Sequence, residues 1–202
     1  MSPAQVLERS YHRFKAALLR GAYRPGQRLD ATTIASDLDI SVTPVREILA
    51  RLTGEGLVDA VAGDGFYVPL LTEDDLRDLY AWTQHLLLLA TRRLTTLPVP
   101  GADRPPPGDI AVAAAELFER AARTGGNSQV TAAMVRANDR LQVVRRIEPM
   151  LIDRTQEELD AIDASLSRGD PATFGHRIRT YHARRQRRVP DLVRLHRKTG
   201  PS

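Results

Sequence analysis

The stretch over residues 34–57, IASDLDISVTPVREILARLTGEGL, constrains the fold more tightly than any other part of the chain. Ile34, Ala35 and Leu38 supply the apolar side of one short helix, and Val45, Ile48, Leu49 and Leu52 fall at i, i+3, i+4 and i+7 on a second. Between them Asp39, Ile40 and Ser41 turn the chain. Ser41 or Thr43 caps the second helix, and Pro44 sits in its first turn, where a missing N–H costs little. With the apolar set facing a core, Ser41, Val42, Thr43, Pro44 and Arg46 point outward at the helix start. Those are the positions a helix-turn-helix presents to base edges in the major groove. Apolar spacing alone fits a plain helical hairpin equally well. The next residues decide between the two: 57–60 and 66–69 are β-prone runs around Ala62-Gly63-Asp64-Gly65, a glycine-rich hairpin turn. Helix, turn, helix, hairpin predicts a winged helix.

At 202 residues the chain is long enough for one large or two small domains, and its 42% hydrophobic and 27% charged content is that of a globular protein. No apolar run approaches the length of a membrane span, and the N-terminus lacks the apolar core of a secretory signal. No cysteine is present, which excludes disulfides and thiolate metal sites and fits a reducing compartment, so cytoplasm is expected. The net charge of +4 suggests a polyanionic partner, yet residues 1–72 balance eight Lys/Arg with eight Asp/Glu. A neutral head argues for modest DNA affinity per monomer, and hence for a dimer. Residues 174–202 hold nine Lys/Arg against Asp191 alone; these read either as a solvated helix with its charges outside or as a second anion contact.

Five pieces in order carry a resemblance to a known family. They are Gly21-Ala22-Tyr23-Arg24-Pro25-Gly26-Gln27-Arg28-Leu29, Ile34-Ala35, Ser41-Val42-Thr43-Pro44-Val45-Arg46-Glu47, Glu55-Gly56-Leu57-Val58 and Gly65-Phe66-Tyr67-Val68. Together they resemble the GntR family of bacterial transcription regulators, and the Thr-Pro-Val-Arg-Glu run resembles its FadR-like (FCD) subgroup. The resemblance implies a homodimer on a palindromic operator in double-stranded DNA, one reading helix per half-site, and repression rather than activation. It implies DNA contacts at Arg28, Thr33, Ser41, Val42, Thr43, Pro44, Arg46, Asp64 and Gly65, although Arg28 and Thr33 also fit a plain solvated surface. Two positions depart from the family pattern: Val42 replaces an arginine that points at DNA, and Asp64 stands where the wing tip is usually basic.

The remainder reads as an all-helical domain over 73–202, following a DNA-binding domain over 1–70. A helix is predicted from a Thr72 cap to about residue 95, then a proline-rich loop over 97–108, then helices over 109–124, 128–154 (kinked or broken at Pro149), 155–166 and 174–196 (broken or bent near Pro190). That makes about five. The resemblance implies a divalent metal held by an aspartate and three histidines, but those positions fall on Ala115, Glu119 and Leu159, with only His182 nearby and one residue out of register. Thr83 and Leu87 replace the usual Arg and Glu. No metal and no cofactor is therefore expected. Without a thiol or an HExxH pair, and with His176 and His182 on different helix faces, no catalytic residues are expected either. A small-molecule effector is expected among Trp82, His85, Asn138, Arg140, Arg145, Tyr181 and His182, each of which also fits an ordinary core or surface role. The alternative is an effector-independent DNA-binding protein that uses the helical domain only to dimerise.

Overall fold

The computed structural model describes residues 2–91 and 108–199. The predicted continuation of a helix to residue 95 and the proline-rich loop over 97–108, Gly108 excepted, lie outside them. The chain forms two compact units, Met1–Leu71 with His196–Ser202, and Thr72–Leu195.

In the first unit α1 (Pro3–Leu19) starts from a Ser2 capping box closed by Gln5. It is followed by β1 (Arg28–Leu29), α2 (Ala31–Leu38), α3 (Val42–Gly54), β2 (Asp59–Val61) and β3 (Gly65–Tyr67). Asp39 adopts the left-handed conformation at φ 56°, which ends α2 and reverses the chain into α3. Tyr11, Phe14 and Leu18 from α1, Ile34 and Leu38 from α2, and Val45, Ile48, Leu49 and Leu52 from α3 bury one another, with Leu57 and Val58 closing the base. Each such side chain contributes about 1.5–3 kcal/mol by leaving water. The predicted apolar face of α3 is thus the observed one. Polar contacts add register: the Tyr11 hydroxyl donates to Glu55 Oε1 at 2.6 Å, Lys15 reaches Glu55 Oε2 at 2.7 Å, and the Arg51 guanidinium lies 3.5 Å over the Tyr11 ring. The wing is an antiparallel sheet of order β1-β3-β2, with Ala60 opposite Phe66 and Arg28 opposite Tyr67. The hairpin was predicted; its third strand, β1, was not.

The second unit contains α4 (Glu73–Thr91), α5 (Ile110–Thr124), α6 (Ser128–Ile147), a 3-10 turn (Glu148–Met150), α7 (Thr155–Ser167), α8 (Pro171–Arg187) and the greater part of α9 (Val189–Lys198). Thr72 and Asp75 cap α4 reciprocally, the Asp75 N–H reaching the Thr72 hydroxyl at 3.1 Å. Leu86, Leu87, Phe118, Met134, Ile162, Phe174 and Ile178 form the centre of the bundle. Gly125 ends α5 so close to α4 that a Cβ there would stand 2.9 Å from the Ala90 Cα, backbone that cannot yield. Breaks fall near Pro149 and Pro190, as the sequence allowed, while the start of the last stretch moves from residue 174 to Pro171. The 128–154 helix ends at Ile147, because Pro149 has no N–H to continue it and the chain tightens into the 3-10 turn. α7 starts at Thr155, and left-handed Arg154 precedes it. The last helix is two, since Asp170 caps α8 at Pro171, Arg188 interrupts it, and Pro190 falls in the first turn of α9. The described residues hold six helices from α4 onward, where about five were expected.

Candidate nucleic-acid interface

The N-terminal turn of α3 is left open. Ser41 occupies the N-cap position, yet its side chain makes no capping hydrogen bond, whereas α1, α2, α5, α6 and α8 all have side-chain caps. The first N–H groups of α3 and the positive end of its dipole therefore face outward, an arrangement that favours phosphate or another acceptor. Ser41, Thr43 and Arg46 are exposed around that opening. Among the described residues the Arg46 side chain has no hydrogen bond or ion pair, while Val45 and Ile48 beside it are buried and hold the helix in place. Glu47, which the sequence reading passed over, is exposed next to Arg46 and places a carboxylate at the same face. Val42 and Pro44 are only half-exposed, and Val42 packs against the core of the unit, so less of its side chain is on offer than expected.

The wing tip brings together three residues that the sequence separates. Pairing of β1 with β3 carries Arg28 to the hairpin turn, where its Nη2 donates to the Asp64 carbonyl oxygen at 2.7 Å and stands 4.0 Å from the Asp64 carboxylate. The Tyr67 hydroxyl donates to Asp64 Oδ2 at 2.7 Å, which raises the Tyr67 pKa. Asp64 is thus not a bare negative charge at the tip; it organises a guanidinium beside itself. Gly65, with φ 135°, lets the turn pass under Arg28. Tyr67 was missed, its signal being no more than an aromatic two residues beyond a turn glycine. Thr33 is exposed but already committed: its hydroxyl donates to Asp30 Oδ2 at 2.8 Å, the residue that caps α2. Both expected phosphate contacts thus have a partner within the protein, Thr33 in Asp30 and Arg28 in Asp64.

The seven effector candidates do not converge. Trp82 is 51% exposed, and His85 and Arg140 also lie at the surface. His85 lines a groove of about 550 Å³ with Leu88, Leu89, Pro171 and Arg179, and none of the other six candidates does. Asn138, Arg145, Tyr181 and His182 are buried together instead, around the Phe118 ring. Arg145 Nη1 donates to Asn138 Oδ1 at 2.9 Å, and Asn138 Nδ2 donates to the Ala115 carbonyl at 3.0 Å. Beside this group runs an ion-pair chain unforeseen in the sequence: the Tyr80 hydroxyl and Arg185 Nε both reach Glu148 at 2.8 Å, and Arg185 Nη1 reaches Glu158 at 2.8 Å. Arg185 therefore points inward, correcting the reading of the basic tail as a helix with all its charges outside.

The metal set implied by the family resemblance does not fit these residues. Ala115 and Leu159 have no donor, and Glu119 is paired with Arg123 on its own helix. His182 Nδ1 faces the Ile178 carbonyl at 2.8 Å and must carry the proton, so Nε2 accepts from the Thr83 hydroxyl at 3.0 Å. Both ring nitrogens are engaged. Burial, helped by Arg185 and Arg145, pushes the His182 pKa down to about 3. An unfolded histidine titrates near 6.5, so below that pH the unfolded chain binds a proton that the folded one refuses. Stability should consequently fall by about 2–3 kcal/mol between pH 7 and pH 4.5 through this residue. Urea unfolding across that range should show the slope in the wild type and a smaller one in His182→Asn; equal slopes would count against it.

Residues 7–68 match the family model described as bacterial regulatory proteins, gntR family. The segment is 43% identical over 58 residues to the Nta operon transcriptional regulator of Aminobacter aminovorans, covering 29% of this chain and 28% of that protein. It is 31% identical over 70 residues to the HTH-type transcriptional repressor GlaR of Escherichia coli, covering 35% and 32%. Such alignments span about a third of those relatives or less. Among solved structures, the fold resembles a putative GntR transcriptional regulator from Rhodococcus sp. RHA1, with TM-score 0.74 and 17% identity over 92% of this chain and 97% of that one. E. coli McbR/YncC is similar at TM-score 0.64 and 18% identity, with the same coverage. At these identities the likeness concerns fold alone, and it extends over both units. Among the described residues no helix is long and apolar enough to cross a membrane. The open helix start, the three-stranded wing and the family match agree: residues 7–68 form a winged helix that matches the gntR family of bacterial regulatory proteins.

Proposed function

We propose that the protein is a cytoplasmic transcription regulator that binds a palindromic operator as a homodimer and represses from it, with a small molecule in the second unit changing operator affinity. The observation that carries the reading is the uncapped first turn of α3, where Ser41, Thr43 and the unpartnered Arg46 surround open N–H groups. Ser41 and Thr43 hydroxyls serve phosphate or base edges, and Arg46 has the fork that matches guanine O6 and N7. Arg28, at the wing tip, supplies a cation to the neighbouring backbone or minor groove. Dimerisation doubles the contact area of a head whose charges balance, and a ligand that binds the two head spacings unequally shifts operator affinity by that difference. The relatives whose names call them operon regulator and repressor support the regulatory reading. Selection of fragments from the protein's own genome by the purified chain, followed by footprinting, tests it. Protection of two symmetric half-sites about one helical turn apart is expected; retention of no fragment above background would refute it.

The wing contributes a second, smaller prediction. Arg28→Ala should lower affinity for all sequences and reduce the salt slope by about one per half-site. Asp64→Asn keeps the carbonyl that holds Arg28 and an acceptor for Tyr67, but removes a negative charge, so it should raise affinity most at low salt. Salt titrations check both; curves superimposable on the wild type at about 50 mM salt would place the wing off the DNA.

A further inference from the structure

The end of α8 carries the basic residues that the sequence left open between a solvated face and a second anion contact. Arg184, Arg187 and Arg188 stand at i, i+3 and i+4 and so share one face of the helix end. Opposite them runs the segment between the 3-10 turn and α7. Arg184 pins it there, its Nη2 donating to the Asp153 carbonyl at 2.9 Å and to Asp153 Oδ1 at 2.8 Å. Between the two walls lies an open cavity of about 430 Å³, lined by Leu151, Ile152, Asp153 and the three arginines. Three guanidinia thus meet one carboxylate, and Arg184 already takes it, with Glu158 Oε1 3.3 Å from its Nη1. Arg188 has a share of Asp191 at 3.4 Å, a carboxylate that Arg194 also approaches at 3.2 Å. Arg187 has no ion pair among the described residues; its Nε donates to the Ala183 carbonyl at 3.2 Å, which leaves both terminal nitrogens open. Cations in a last turn offset the helix dipole, but that dipole amounts to about half a charge. A recess with two under-paired guanidinia on one wall has the room and the charge for one compact polyanion.

We infer that this cavity binds a phosphorylated small molecule by its phosphate or diphosphate group, with Arg187 and Arg188 holding the anion and Arg184 positioning the opposite wall. Phosphate suits the pair better than a single carboxylate does, because it brings more charge and enough acceptor oxygens for two guanidinium forks at once. Leu151 and the buried Ile152 offer an apolar edge to the uncharged part of the molecule. A free molecule also fits better than the backbone of DNA, since the site is a recess the size of one ligand, whereas duplex phosphates are met by exposed stripes of cations. None of the lining residues belongs to the buried group around the Phe118 ring, so the site goes beyond the effector reading and does not depend on it.

Thermal unfolding of the full chain titrated with sodium pyrophosphate, and with sulfate and succinate for comparison at constant ionic strength, tests this. Pyrophosphate should raise Tm by about 5 °C at a hundredfold excess over its Kd. Arg187→Gln combined with Arg188→Gln should abolish that shift, while its Tm without pyrophosphate stays within about 2 °C of the wild type because both side chains are exposed. Pyrophosphate drawn instead to the first turn of α3 would lose its effect in Arg46→Ala, so that variant should respond as the wild type does. The inference is overturned if pyrophosphate gives no shift, if sulfate or succinate matches it, if the double variant still responds, or if Arg46→Ala removes the response. A double variant that loses affinity and salt slope on random-sequence DNA, with no pyrophosphate shift in the wild type, would overturn it in favour of a DNA-backbone contact. The pyrophosphate titration contains no operator, so its failure leaves the regulatory reading standing, and failed operator binding leaves it untouched.

Discussion

Arg46→Ala is expected to weaken operator binding by about 1–3 kcal/mol per half-site, roughly 5- to 160-fold, and twice that free energy for a dimer on both half-sites. The size follows from what the residue lacks within the protein. Among the described residues its guanidinium has no partner, so truncation removes donors only from the complex. Val45, Ile48 and Leu49, all buried, keep α3 seated when the exposed side chain is shortened. Thermal unfolding should therefore match the wild type within about 0.5 kcal/mol, while gel-shift titrations on a genome-selected fragment separate the two proteins. A residue that contacts a base also changes the preferred sequence, so the loss should shrink on DNA altered at the contacted base pair. Undiminished affinity would remove the start of α3 from the interface. Glu47 gives a control on the same turn: Glu47→Gln keeps the shape, removes a negative charge, and should move affinity in the opposite direction at low salt.

The winged helix was legible because its information is local. Four residues at i, i+3, i+4 and i+7 define the buried face of α3, and the structure buries all four. The glycine-rich turn likewise announces the hairpin. β1 was not legible: two residues carry no periodicity, and only pairing with β3, nearly forty positions on, makes them a strand. That same long-range pairing turned Asp64 from an isolated charge into the holder of Arg28. In the second unit, proline positions pointed to breaks, but the break after α8 falls at Arg188, ahead of Pro190, because proline is tolerated in a first turn. The inward-pointing Arg185 was the largest omission. Pattern reading assigns charge to the solvent face, and nothing local distinguishes Arg185 from its exposed neighbours Arg187 and Arg188; its carboxylates come from distant turns of chain. Aromatic content misled in the other direction, since Trp82 is half-exposed on α4.

Glu148→Ala is expected to destabilise the second unit by about 3–5 kcal/mol, the typical result of breaking a buried ion pair by removing one partner. Glu148 is 1% exposed and accepts from two donors, Tyr80 Oη through Oε1 and Arg185 Nε through Oε2. Truncation leaves the Tyr80 hydroxyl buried without an acceptor and Arg185 with Glu158 as its remaining carboxylate partner. Neither group can move to water, because Tyr80 sits in the middle of α4 and Arg185 is packed with its cation 3.2 Å over the Tyr181 ring. The energy measured is the cost of the orphaned partners, not the net value of the pair, and a second variant separates the two. Removing both charges in Glu148→Leu with Arg185→Met leaves no buried ion unpaired beside Tyr80, so the double variant should recover a substantial part of the loss. Urea unfolding of the wild type, Glu148→Leu, Arg185→Met and the double variant closes the cycle. A single-variant loss below about 1 kcal/mol would mean that water reaches Arg185 and that the chain from Tyr80 to Glu158 is a surface network. A double variant no more stable than Glu148→Ala would assign the loss to packing of the aliphatic stems instead of charge.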